Sequence, residues 1–415
     1  MHPIDAVVAV PGSKSIANRA LICAALADGT TTLSNVPSGD DTEAMLTCLE
    51  LLGIRVERDA ADSTTATIFG GGGELQPRSV RLPTRLAGTT SRFVTALAAL
   101  GSGPYTIDGD PPLRARPMAP LHDALVVMGA TVVSAGQWGH LPVAVGGPLH
   151  AAGTVEVRGD ISSQFLTALM LIGPYISGGL HIAITTPLVS RPFLDITKAV
   201  MADFGHEAVS IGEDHIDVDA GRYRGRAYGI EPDATSAGYP LAAAAICGGR
   251  VEVPGLTKSS MQGDSEFSNV LARMGCVSSC DEHTTIVERG PRLEGIDIDM
   301  VDHSDLVPTL AAVAAFATTR TRIRGVGFIR AKESDRLGDL CKEMRRLGAA
   351  ATETEDGLTI DPADLHGSRI DTHHDHRLAM AFGLIGLRVS GVEIDDSGVV
   401  SKSWPGYWDM LGSLR

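Results

Sequence analysis

Aromatic side chains are scarce, 4% of 415 residues, so the core must be packed from small and branched side chains rather than large rings. Positive charge is also short: 35 Lys and Arg face 50 Asp and Glu, a net charge of −15. That balance argues against a nucleic-acid partner, because counterion release needs a basic face. No apolar run approaches membrane-spanning length, and no basic stretch leading into an apolar one opens the chain. A soluble, cytoplasmic protein without membrane association is expected. The six cysteines, Cys23, Cys48, Cys247, Cys276, Cys280 and Cys341, lie mostly in apolar helix-like runs and read as reduced buried thiols. Cys276, Cys280 and His283 have no fourth ligand nearby, and the neighbouring histidines of "HHDH", His373 to His376, diverge on a helix or strand. No metal is expected.

Small residues are abundant, with 47 glycines and 44% hydrophobic residues, and the length suggests about two to three domains. The apolar runs repeat. "NRALICAALADGTTTLSNV" from Asn18, "SRFVTALAALGSGPYTIDG" from Ser91, "SQFLTALMLIGPYISGGLHIAI" from Ser163, "AGYPLAAAAICGGRVEV" from Ala237, "DLVPTLAAVAAFATTRTRIRGV" from Asp305 and "HRLAMAFGLIGLRVSGVEID" from His376 share one plan. Each is a small-residue helix, a Gly or Thr break and a β-branched strand. A second, amphipathic helix follows most copies, as in "DTEAMLTCLELLGIRV" and "ESDRLGDLCKEMRRLGAA". The sixth copy stops short of its final strand, which the orphan N-terminal strand "DAVVAV" is expected to supply.

Six copies predict an α/β protein of two lobes with three units each, the apolar helices buried inside a shell of strands and amphipathic helices. Residues 1–12 and 230–415 would form one lobe and residues 13–229 the other, with a hinge near Pro11 and Gly12 and a cleft that opens and closes.

Polar residues collect at the starts of the apolar helices: "GSKSIANR", "LAGTTSR", "DISSQ", "PDATSAG", "DHSDLVP" and "HDHR". Helix N-termini favour anions. Lys14 with Asn18, and Ser15 with Arg19, are spaced to share a helical face and point at one anion. Further cations, Arg116, Lys332, Arg336, Arg377 and Lys402, recur in similar settings. "GSKS" is no nucleotide-binding loop, since the required glycine spacing before Lys14 is missing, and "GGGG" at Gly70 to Gly73 reads as a turn.

Taken in order, "PGSKSIANRAL", "LAGTTSRF", "SSQFLTAL", "SDLVPTLAA", "KESDRL", "DHRLAMAF" and "SKSWP" resemble the motifs of the 5-enolpyruvylshikimate-3-phosphate synthases, a family of enolpyruvyl transferases. The resemblance covers nearly the whole chain. It implies the two-lobed fold of βαβαββ units, an inside-out α/β barrel, and transfer of the enolpyruvyl group of phosphoenolpyruvate to the 5-hydroxyl of shikimate 3-phosphate with release of phosphate, a step toward chorismate and the aromatic amino acids. It implies no metal or organic cofactor and a monomer whose partners are these two small molecules. By similarity Lys14, Ser15, Arg19, Ser162, Ser163, Ser190, Asp305 and Lys332 would bind shikimate 3-phosphate. Lys14, Gly88, Arg116, Gln164, Arg336, Arg377 and Lys402 would bind phosphoenolpyruvate, and Asp305, Glu333 and Lys14 would carry the acid-base chemistry.

Three positions depart from the family's common pattern: Arg85-Leu86 in place of Gly-Asn, Phe193 where Tyr is frequent, and Phe328 in place of Asn or His. Gly88 and "SSQF" resemble the branch sensitive to glyphosate, so sensitivity is expected. The alternatives are the sister transferase acting on UDP-N-acetylglucosamine and a non-catalytic anion-binding repeat protein. Ser15 after Lys14, and the lack of Cys in "DPPLRARP", argue against the first; Asp305, Glu333 and Lys14 together argue against the second.

Overall fold

All six apolar segments are helices in the computed structural model, which describes residues 3–150 and 153–414. They are α1 (Lys14–Leu26), α2 (Gly88–Ala98), α3 (Ser163–Ile172), α4 (Ala234–Cys247), α5 (Val307–Ala314) and α6 (His376–Gly386). Every residue of α1 from Ile16 to Leu26 is buried, as is every residue of α5. Helices apolar on all sides have no face to give to water and take the interior. The chain forms two compact units, one of Gly12–Ile230 and one in which the segment through Pro11 joins everything from Glu231 onward. α1, α2 and α3 pack on one another in the first, and α4, α5 and α6 in the second.

Each complete repeat carries a four-stranded sheet. Around α2, Val80–Pro83 pairs parallel with Tyr105–Asp108, to which Val143–Gly146 and then Thr131–Ser134 are added antiparallel. The same order recurs around α3 and α5. A parallel pair needs a crossover, supplied by the apolar helix, whereas the antiparallel strands follow the amphipathic helix. The sheets stay separate, and none closes into a barrel among the described residues. No helix among them is long and apolar enough to cross a membrane.

The two units have exchanged lead strands. β1 (Ile4–Val7) precedes α1 in sequence, yet the strand after α1, β2 (Thr30–Ser34), pairs instead with β3 (Ala227–Gly229), which precedes α4. β1 in turn pairs parallel with β4 (Gly249–Pro254), the strand after α4. The expectation that the N-terminal strand completes the sixth copy is therefore corrected. That copy keeps a two-stranded sheet, Arg369–Ile370 with Glu393–Ile394, and ends in the helix Tyr407–Ser413. The physical reason is a vacancy in the fourth copy, whose own lead strand has gone to β2. Gly249 makes the replacement fit: its φ is +97°, and a Cβ there would lie 1.9 Å from the carbonyl oxygen of Ile4.

All six cysteines are free thiols; Cys280 is exposed and Cys247 half-buried, and the other four are buried.

Candidate functional site

In the unit of Gly12–Ile230, the predicted residues form one connected set. Ser13 caps α1, its Oγ accepting from the Ile16 N–H, so Lys14 and Ser15 stand in the first turn. Lys14 Nζ lies 2.9 Å from Asp41 Oδ2, and the Asp41 carbonyl accepts from Thr90 at the start of α2. Gly88 opens α2 against two guanidiniums: a Cβ there would stand 2.6 Å from Arg116 Nη1 and 2.8 Å from Arg92 Nη1. Arg92 holds the approach in place by donating to the Gly88 and Pro117 carbonyls. Ser162 caps α3, and Gln164 Nε2 reaches Thr89 Oγ1 at 3.3 Å, joining the starts of α2 and α3. Ser190, buried with φ +56°, leads into the helix Pro192–Asp203.

Arg19 is 2% exposed, well inside this unit. Its side chain turns into the interior, donating to Thr197 Oγ1 at 2.8 Å, the Ser15 carbonyl at 2.6 Å and the Phe193 carbonyl at 3.0 Å. Its guanidinium also faces the Phe93 and Phe193 rings, 5.5 and 5.9 Å from their centres. Among the described residues no carboxylate pairs with it, and burial brings its pKa down to about 9. A buried cation held by neutral oxygens is unsaturated in charge and suited to an anionic ligand. Asn18 is buried beside it, and among the described residues neither of its amide atoms has a hydrogen-bond partner.

In the other unit, four cations meet three carboxylates. Asp305, just ahead of α5, bridges two guanidiniums: Oδ1 lies 2.9 Å from Arg336 Nη1 and Oδ2 lies 2.7 Å from Arg377 Nη2. Glu333 Oε2 lies 2.7 Å from Arg336 Nη2, and its Oε1 lies 3.8 Å from Lys402 Nζ. Asp375, fully buried, holds Arg336 Nε at 2.7 Å and caps α6 through the Arg377 N–H. Lys332 packs over the Phe328 ring at 5.8 Å. Burial by itself would raise the Asp305 pKa, but Arg377, Lys332 and Arg336 outweigh it and hold the group far below the usual carboxylate range. The same carboxylates keep Arg336 and Arg377 charged despite their burial.

The sequence pattern placed the start of the amphipathic helix at Glu333, but it begins at Gly338. Asp335 is the reason, since its Oδ1 accepts from the Leu337 and Gly338 N–H groups and stops the helix there. Lys332, Glu333 and Arg336 thus stand on a bend, and the Glu333–Arg336 pair spans it.

Sequence reasoning missed Asp41, Arg92, Thr197, Asp264 and Asp375. Asp264 is buried beside Asp305 with Thr235 donating to it; burial, then the Asp305 charge, raises its pKa to about 6. Acidic residues flanking the cationic motifs, Asp375 inside "HDHR" and Asp41 in "GDDTE", were the available signal. The three histidines of "HHDH" do diverge: His373 faces Glu343 and Asp339, His374 faces Asp396, and His376 is buried. No cluster of three His, Cys, Asp or Glu suited to a metal occurs among the described residues.

Comparison with known proteins places this arrangement. The family model for EPSP synthase (3-phosphoshikimate 1-carboxyvinyltransferase) matches residues 1–411. A 3-phosphoshikimate 1-carboxyvinyltransferase of Nostoc punctiforme is 44% identical over 410 residues, covering 98% of this chain and 96% of the relative. One from Methanoculleus marisnigri is 41% identical over 413 residues, covering 99% and 96%. The solved structure of EPSP synthase from Acinetobacter baumannii superposes with a TM-score of 0.81 at 26% identity, covering 99% of this chain and 96% of that one. The chain belongs to the EPSP synthase family.

Proposed function

We propose that this protein transfers the enolpyruvyl group of phosphoenolpyruvate to the 5-hydroxyl of shikimate 3-phosphate, releasing phosphate. The observation that carries the reading is the cluster in which Asp305 and Glu333 are held by Arg336, Arg377 and Lys402. Acid-base groups there stand beside the cations that a highly anionic substrate requires. Arg19, a buried cation without a carboxylate, supports a place for shikimate 3-phosphate on the other unit. The two units are the two lobes of the enzyme.

In the addition step, the substrate hydroxyl gives its proton to Asp305 as its oxygen bonds to the enol carbon, and Glu333 delivers a proton to the methylene carbon. Elimination returns a proton from that carbon to Glu333 as the C–O bond to phosphate breaks, and the proton held by Asp305 leaves with the phosphate. Lys14, Arg116, Gln164, Arg336, Arg377 and Lys402 hold the phosphoenolpyruvate anion, with Gly88 leaving room beside Arg116. Lys14, Ser15, Arg19, Ser162, Ser163, Ser190 and Lys332 hold shikimate 3-phosphate. No cofactor enters. Free cysteines throughout favour a reducing compartment, the cytoplasm, and a single chain supplies every group, so the working form is a monomer.

The test mixes purified protein with both substrates and follows phosphate release. Release only with UDP-N-acetylglucosamine as acceptor would move the assignment to the sister transferase. Binding without release would make the protein a non-catalytic anion binder. Glu333→Gln should lower kcat far more than it changes KM; a change in KM alone would remove Glu333 from the chemistry.

A further inference from the structure

Of the three carboxylates on Arg336, one is fully enclosed and two are partly exposed. Asp375 is wholly buried, grips Nε and caps α6, so the fold depends on it. Asp305 and Glu333 keep 20% and 15% of their side chains exposed and reach the guanidinium from a short helical turn and a bend. Their oxygens occupy the donors that a bound anion needs. Asp305 in particular offers one oxygen to each of two guanidiniums, the geometry in which paired arginines grip any carboxylate. A base so held has little tendency to take a proton.

We infer that Asp305 and Glu333 are internal stand-ins for the anionic groups of phosphoenolpyruvate, and that the arriving substrate displaces them from Arg336, Arg377 and Lys402 and so releases them for proton transfer. The inference rests on the proposed function. It follows that Asp305 accepts the hydroxyl proton after phosphoenolpyruvate has taken over the guanidiniums. Binding of one substrate thus arms the base that acts on the other. Coulombic exchange of one carboxylate for another conserves the buried hydrogen bonds, so the swap leaves no desolvated cation behind.

The stand-ins also lower the apparent affinity for phosphoenolpyruvate, by the fraction of molecules in which the cations are uncovered. Removing one should therefore tighten binding while it abolishes catalysis, the reverse of what losing a direct ligand does. The experiment is calorimetric titration of the full chain with phosphoenolpyruvate alone. Asp305→Asn should bind roughly threefold or more tighter than wild type while turnover falls by about a hundredfold or more. Glu333→Gln should shift binding in the same direction.

Asp264→Asn is the control for bulk charge. It deletes a neighbouring carboxylate that, among the described residues, makes no hydrogen bond to either guanidinium, and any gain in affinity should be clearly smaller than in Asp305→Asn, since no guanidinium donor is uncovered. Should Asp305→Asn fail to give a folded protein by circular dichroism, Glu333→Gln decides alone. Unchanged or weaker binding in the folded stand-in variants, or an equal gain in Asp264→Asn, overturns the inference even while wild type turns over. Wild type that neither binds phosphoenolpyruvate nor releases phosphate overturns the functional reading as well.

Discussion

Asp375 meets Arg336 with both oxygens, Oδ2 2.7 Å from Nε and Oδ1 3.2 Å from Nη2, in surroundings from which water is excluded on both sides. The same carboxylate caps α6 and accepts from Ser334 Oγ, so one side chain sets both the guanidinium and the bend that carries Glu333. Removing one member of a buried pair costs about 3–5 kcal/mol where the other is left uncompensated, an upper bound here because Arg336 keeps Asp305 and Glu333. Asp375→Ala is expected to lower the unfolding free energy of this unit, read from urea titrations, by up to about that amount and to depress kcat/KM, whereas Asp375→Asn, which can still cap α6, should lose less stability. Equal losses in the two variants would show that the cap contributes nothing.

Gly88 is pressed by two arginines of unequal freedom. Arg92 Nη1 is tied to the Gly88 carbonyl at 3.0 Å, so an added methyl displaces mainly Arg116. Gly88→Ala is expected to raise KM for phosphoenolpyruvate by roughly tenfold, since a shift under an ångström in a positioned cation is costly, and to leave KM for shikimate 3-phosphate within twofold, ~0.4 kcal/mol. Steady-state kinetics with each substrate varied in turn decides it. An equal rise in both would separate Gly88 from one particular subsite.

Arg19 offers a fork of donors that lysine cannot copy, and its burial without a carboxylate costs stability until an anion arrives. Shikimate 3-phosphate should raise the melting temperature of the wild-type protein. In Arg19→Lys that rise should disappear, with KM for shikimate 3-phosphate up by roughly one to two orders of magnitude and KM for phosphoenolpyruvate little changed. A full ligand-induced rise in the variant would place Arg19 in the core alone.

Much of this was legible in the sequence because the apolar helices announce themselves. Ile16 to Leu26 or Val307 to Ala314 can only be interior, and six such runs at even spacing give the repeat and its α/β character. The lobe that β1 joins could be read, but the strands that β1 and β3 pair with were hidden. Strands of four and three residues carry no mark of their partner, which lies roughly two hundred residues away or more. The direction of Arg19 was likewise closed to spacing, which gives a helical face but not what packs on it; Thr197 and the Phe193 carbonyl come from a distant helix. Glu333 and Arg336 could be named from their motif, but their place on a bend could not, since it depends on Asp335 capping the helix two residues beyond them.

Asp264 gives the protein a pH dependence of definite sign. Its unfolded pKa is about 3.9, and burial, with the Asp305 charge, raises it to about 6 in the folded protein. The folded state therefore binds more protons between about pH 4 and pH 6, and stability falls as pH rises through that window. Asp264→Asn still offers Thr235 an acceptor but never ionises. It should stabilise the protein at pH 7.5 by clearly more than at pH 4.5, as read from urea midpoints; an equal increment at both would mean that the carboxyl is not ionising against a penalty.

The exchange of lead strands can be tested at one glycine. Gly249 combines a φ of +97° with the backbone of Ile4 lying where a Cβ would go. The Ile4 N–H bonds to the Gly248 carbonyl at 2.9 Å and the Val8 N–H to the Glu252 carbonyl at 2.8 Å, so β1 is fastened along β4 just past this point. Gly249→Ala adds steric exclusion of β1 to the backbone strain of roughly 1 kcal/mol that alanine meets at positive φ. Gly29 supplies the comparison: its φ is +95°, but nothing lies within 4 Å of its would-be Cβ. Gly29→Ala should therefore cost only the strain and leave hydrogen-exchange protection of the β1 amides intact. Gly249→Ala should cost more and strip protection from Ile4–Val7 while the β2–β3 pair of the other unit keeps its own. If both variants lose stability equally, with β1 still protected, the close approach of Ile4 is not what demands glycine at this position.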